Sequence, residues 1–70
     1  MREFTVVIEK DEDGWFVSTV VELPGCHSQG RTLDELMERT REAIAAYLEA
    51  LGEEERETRI EFVGVQKVKV

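Results

Sequence analysis

Only one stretch of this chain carries the repeat of an amphipathic helix; its other apolar residues mostly alternate. Leu33, Leu36, Met37, Thr40, Ile44, Tyr47, Leu48 and Leu51 recur at three- and four-residue steps, the spacing that gathers side chains into one stripe along a helix. Thr32-Leu33-Asp34-Glu35 has the form of a capping box, with Thr32 accepting from the third amide and Glu35 reaching back to the cap amide. Asp34 and Glu35 suit the positive end of the helix dipole, and Gly52 is placed as the residue that ends the helix. One helix can cover one face of one sheet, so a chain with a single helix and several strands is directed to a two-layer α+β fold.

The strands are written on either side of it. Phe4, Val6 and Ile8 alternate with Thr5, Val7 and Glu9, so residues 2–10 predict a first strand. Asp11-Glu12-Asp13-Gly14 follows, a turn signal in which Asp caps local amides and Gly takes positive φ. A second strand runs from Trp15 to Val21, with Trp15, Val17, Thr19 and Val21 on one face and Phe16, Ser18 and Val20 on the other. Leu23-Pro24-Gly25 breaks it, and a short third strand through Cys26 to Gln29 pairs back. After the charge run Glu53 to Glu57, Ile60, Phe62, Val68 and Val70 fall in phase and predict a last strand. If that strand joins parallel to the first, the order is 3-2-1-4 with a right-handed crossover. The sheet face away from the helix then stays uncovered, with Trp15 or Phe16, Val7, Val63 and Val65 as its candidate apolar groups. Such a face leads us to expect a homodimer.

Length and charge narrow the function. Seventy residues hold one domain, 1–70, and a core this small gains from a partner. The N-terminus lacks the apolar run of a signal peptide or membrane span, which places the expected site of action in the cytoplasm. One cysteine cannot form an internal disulfide, and one histidine cannot build a multi-histidine metal site. A net charge of −7 opposes unaided binding to phosphate backbones and favours a basic protein partner, although acidity also serves plain solubility.

At Asp11-Glu12-Asp13-Gly14-Trp15-Phe16-Val17, Glu22-Leu23-Pro24-Gly25-Cys26-His27-Ser28-Gln29-Gly30, Thr32-Leu33-Asp34-Glu35-Leu36 and Arg41-Glu42-Ala43-Ile44, the chain resembles the HicB antitoxin core. The likeness runs from about Phe4 to Leu51, and its most specific part is Leu-Pro-Gly-Cys followed closely by Gly30 and the Thr32 cap. The resemblance implies a partial RNase H-like β-β-β-α-β fold and a small basic HicA-like toxin as partner. Such toxins cut messenger RNA with a histidine, and the antitoxin blocks their active surface. Many members also repress their own operon through a C-terminal DNA-binding segment. Here only a strand follows the helix, so a short member without that segment is expected.

The candidate partner-binding residues are Asp11, Glu12, Asp13 and Trp15 at the hairpin and Leu23, Pro24 and His27 at the second loop. The acidic tip either mimics phosphates to a basic toxin or serves turn geometry. It lacks the later ligands of a calcium loop, so no metal and no cofactor is expected. An RNase H-like sheet invites a minimal magnesium-dependent nuclease as an alternative, but the inward strand positions are Phe, Val, Ile and Trp rather than converging carboxylates. Cys26 and His27 are adjacent in a strand and point to opposite faces, which opposes nucleophilic catalysis. Arg31, Arg39 and Arg41 with Trp15 could contact RNA, or could pair with Glu35, Glu38 and Glu42 along the helix. No enzyme and no direct nucleic-acid binder is expected. A self-associating domain of unknown role is the remaining alternative to an antitoxin.

Overall fold

The computed structural model describes residues 2–51 and 60–70. Strands β1 (Val6–Lys10), β2 (Phe16–Val20) and β3 (His27–Gly30) precede helix α1 (Leu33–Ala50). The strands form an antiparallel meander in the order β1-β2-β3, with Val6 opposite Val20 and Ser18 opposite Ser28.

Each reversal has a local cause. At the first, the Asp11 carboxylate accepts from the amides of Asp13 and Trp15, both at 2.9 Å, while the Asp11 amide donates to the Trp15 carbonyl at 2.8 Å. Gly14 sits at φ 87°, a region that costs a side-chain-bearing residue about 1–2 kcal/mol. At the second, Gly25 takes φ 84°, and the Leu23 and Cys26 amides donate to the carbonyls of Val20 and Leu23.

The helix starts where its cap predicts. The Glu35 amide donates to Thr32 Oγ1 at 3.0 Å. The return bond differs from the expected box: Glu35 Oε1 accepts from the amide of Arg31 at 2.6 Å, one residue before the cap. The stripe meets the sheet from Leu36 onward, and Leu33, counted in it from spacing alone, is exposed. The C-cap residue of α1, Leu51, is extended at ψ 149°, its amide donating to the Tyr47 carbonyl. Gly52 and the run Glu53 to Glu57 lie outside the described residues.

α1 covers the face carrying Phe16, Ser18 and Val20. Leu36 and Val20 are almost fully buried, and Val20, Leu23 and Cys26 pack against Phe4, Val6, Ala43, Ile44, Tyr47 and Leu48. Gly30 lets the helix come close: a Cβ there would sit 2.8 Å from the Leu36 amide nitrogen. Between the layers Thr40 donates to the Leu36 carbonyl at 2.7 Å, so the 2.8 Å contact with Ser18 takes its hydrogen from Ser18. Both hydroxyls are buried and satisfied.

The last strand is a correction. Residues 60–70 form no ladder, and Val63, Val65, Val68 and Val70 are strongly exposed. The observed order 1-2-3 agrees with the first three places of the expected 3-2-1-4, but no strand occupies the fourth place beside β1 among the described residues, so they do not form the RNase H-like arrangement. Alternation reports that a segment can be a strand; which edge it joins depends on partners that period two does not encode.

Candidate interaction surface

Register decides which residues share the face opposite α1. Val7, Thr19 and His27 stand in one row, and Glu9, Val17 and Gln29 in the next. Asp11 and Trp15 extend the same alternation beyond the ladder, and the Arg31 guanidinium lies 4.0 Å from the Trp15 ring centroid. Val7, Val17 and Trp15 are half-buried, while Glu9, Thr19, His27 and Gln29 around them are exposed. The result is a small apolar centre with a polar rim, the anatomy of a contact surface.

This arrangement separates the candidate residues. Trp15 belongs to the open face; Phe16, its alternative, turns toward the helix layer and carries Lys10 Nζ 5.4 Å from its ring centroid. Val63 and Val65 are not on the sheet at all. His27 shares the face with Trp15, although the two loops lie at opposite ends of β2, about 17 Å apart for a five-residue strand. The structure thus joins Trp15 and His27 through the sheet and leaves Pro24 at the far loop, exposed, with its carbonyl accepting from the Tyr47 hydroxyl at 2.8 Å. Leu23 is 3% exposed and is a core residue, so its side chain is not presented to a partner.

The acidic tip divides as well. Asp11 holds the turn with its carboxylate, whereas Glu12 and Asp13 are exposed. Cys26 is buried, and burial pushes its thiol pKa up, away from the thiolate form a nucleophile requires. His27 is exposed, with Nδ1 donating to the Gly25 carbonyl at 3.0 Å. Among the described residues no group of three or more His, Cys, Asp or Glu could hold a metal ion, and no helix is long and apolar enough to cross a membrane. Arg39 pairs with Glu35 at 3.7 Å and donates to the Gln29 carbonyl at 3.2 Å. Glu9 and Gln29 join Val17, which alternation already puts on the Trp15 face, and they are not found from sequence because cross-strand rows exist only once register is known.

Residues 4–68 match the family model described as HicB_like antitoxin of bacterial toxin-antitoxin system. The chain belongs to this HicB-like antitoxin family. It is 56% identical over 68 residues to a UPF0150 protein of Archaeoglobus fulgidus, covering 97% of this chain and 94% of that one. A UPF0150 protein of Synechocystis is 51% identical over 69 residues, 99% of this chain and 96% of the relative. An uncharacterized 14.9 kDa protein of Haemophilus phage HP1 is 43% identical over 54 residues, 77% of this chain but 40% of its own length. No solved structure matches the chain. Membership in the HicB-like family implies, in general, a toxin as partner.

Proposed function

We propose that this chain is an antitoxin-type binding protein that neutralises a small basic HicA-like ribonuclease in the cytoplasm by occluding its RNA-binding surface. The observation that carries the reading is the sheet face left open by α1, with Val7, Val17 and Trp15 at its centre, in a chain of the antitoxin family. Glu12 and Asp13 project at one end of that face, and the net charge of −7 gives a field that attracts a cationic partner. The protein acts by contact and carries out no chemistry in this reading. Trp15, held under Arg31, is the aromatic anchor, and His27 stands at the opposite rim.

Co-expression tests it. The small basic protein encoded by the adjoining reading frame should arrest growth alone, become harmless beside this chain, and co-purify with it. A neighbour that is not toxic, or one whose toxicity this chain leaves unchanged, rejects the antitoxin reading.

A further inference from the structure

The register of the sheet runs on one place beyond its ladders. Lys10 stands opposite Phe16 and Phe16 opposite Gly30, so the next row of the open face is Asp11, Trp15 and Arg31. Both members of the Arg31–Trp15 stack are pinned through their backbones. The Trp15 amide donates to the Asp11 carboxylate at 2.9 Å, and the Arg31 amide to Glu35 Oε1 at 2.6 Å. The Arg31 guanidinium, 4.0 Å from the Trp15 ring centroid, is exposed. Glu35 turns its other oxygen to Arg39 at 3.7 Å, and no carboxylate among the described residues pairs with the Arg31 guanidinium. A guanidinium seated on an aromatic ring keeps its in-plane N–H fork for a second partner, in the geometry that a carboxylate fits with both oxygens.

Charge is thereby divided across the open face. Glu9, Asp11, Glu12 and Asp13 lie on β1 and its hairpin, whereas Arg31 follows β3 and Arg39 reaches the Gln29 carbonyl of that strand at 3.2 Å. We propose that Arg31, stacked on Trp15, takes a carboxylate of the protein partner in a two-toothed pair, so that a partner basic as a whole must carry an Asp or Glu opposite β3 while its cations meet the β1 side. This role rests on the antitoxin reading for its partner and adds what selects that partner. Any basic surface satisfies Glu12 and Asp13. A wrong one sets its own Lys or Arg against Arg31, and like charges brought together at a desolvated contact reject it. An RNA phosphate offers similar oxygens, but the four acidic side chains on the same side of the molecule repel a polyanion.

The test uses the full chain and the small basic protein of the adjoining reading frame, with affinity read by calorimetry and rates by stopped flow. Arg31→Glu adds two negative charges, so long-range attraction alone would make a basic partner bind faster and more tightly. The expected result is the reverse: affinity falls about 100-fold, chiefly through faster dissociation, while the thermal midpoint is unchanged. Arg31→Lys keeps the charge without the planar fork and should lose about 10-fold. Reversing one Asp or Glu of the partner to Arg should restore binding to Arg31→Glu and weaken binding to the wild-type chain. Affinity that rises or holds with Arg31→Glu overturns the inference and leaves the antitoxin reading standing, as does a loss that no acidic position of the partner reverses. A neighbour that forms no complex removes both. A fluorescent single-stranded RNA that binds the wild-type chain and is released by Arg31→Glu overturns it as well, by assigning the fork to phosphate.

Discussion

Replacing Thr40 by Val should destabilise the fold more than replacing Ser18 by Ala, and the two together should cost less than their sum. Thr40 gives its hydrogen to the Leu36 carbonyl at 2.7 Å and receives that of Ser18 at 2.8 Å, where both residues are at most 1% exposed. Thr40→Val leaves the Ser18 hydroxyl buried with no acceptor, a loss of about 1–3 kcal/mol. Ser18→Ala leaves Thr40 its bond to Leu36 and removes one accepted hydrogen bond, about 1 kcal/mol. In the double variant neither group is stranded, so a coupling of about 1–2 kcal/mol should appear in the cycle. Urea unfolding at one fixed protein concentration measures it, with thermal scans as a check at about 4–8 °C per kcal/mol for a domain of this size. Strict additivity, or a Thr40→Val variant no less stable than Ser18→Ala, would refute the hydrogen-bond assignment between α1 and β2.

Other perturbations address separate parts of the fold. Gly30→Ala should cost about 1–3 kcal/mol, because its Cβ would stand 2.8 Å from the Leu36 nitrogen and the first turn of α1 would have to shift; a lowered urea midpoint reports it. Glu12→Lys/Asp13→Lys should leave thermal stability unchanged but slow association with the toxin and flatten its dependence on salt, measured by stopped flow; Asp11 is spared because its carboxylate holds the turn. Glu22 is pushed up by burial, but hydrogen bonds from the Thr5 hydroxyl, the Thr5 amide and its own amide outweigh this and bring its pKa below the ordinary 4.5. A lowered folded-state value means the stabilisation is complete above the unfolded pKa and is lost as pH falls through the folded one. Glu22→Gln should therefore flatten the acid limb of the stability curve below about pH 4.5, and an unchanged limb would assign that loss to other carboxylates.

Much of this fold is legible in local chemistry. Thr32 with Glu35, Asp11 with Gly14, and Pro24 with Gly25 each mark a boundary through hydrogen bonds or backbone angles that a few adjacent residues determine. The helical stripe identifies the covered face because Leu36 and Thr40 must be buried somewhere. What sequence conveys poorly is long-range pairing. Residues 60–70 alternate as a strand should, yet they form no ladder, because pairing depends on partners that period two does not encode. Leu23 shows the same limit at single-residue scale. Beside Pro24 it reads as part of an exposed loop, but the turn folds it inward onto Val20 and Cys26. Asp11 reads as surface charge and serves as an acceptor for two amides. Alternation puts Trp15, Val17 and Thr19 on one side of β2, but only register adds Glu9, His27 and Gln29 to that side from the neighbouring strands.

The central claim is that the toxin meets the sheet face opposite α1. Isothermal titration of the toxin with the wild-type chain and with Val17→Lys, Thr19→Arg and Glu49→Lys tests it most directly, each variant first shown to be folded. Val17 and Thr19 lie on the open face, and Glu49 is exposed on the helix. The account predicts a loss of about 100-fold or more, near 2.7 kcal/mol, for each sheet-face variant and wild-type affinity for Glu49→Lys. Wild-type affinity in both sheet-face variants, with the loss appearing instead at Glu49, would contradict it.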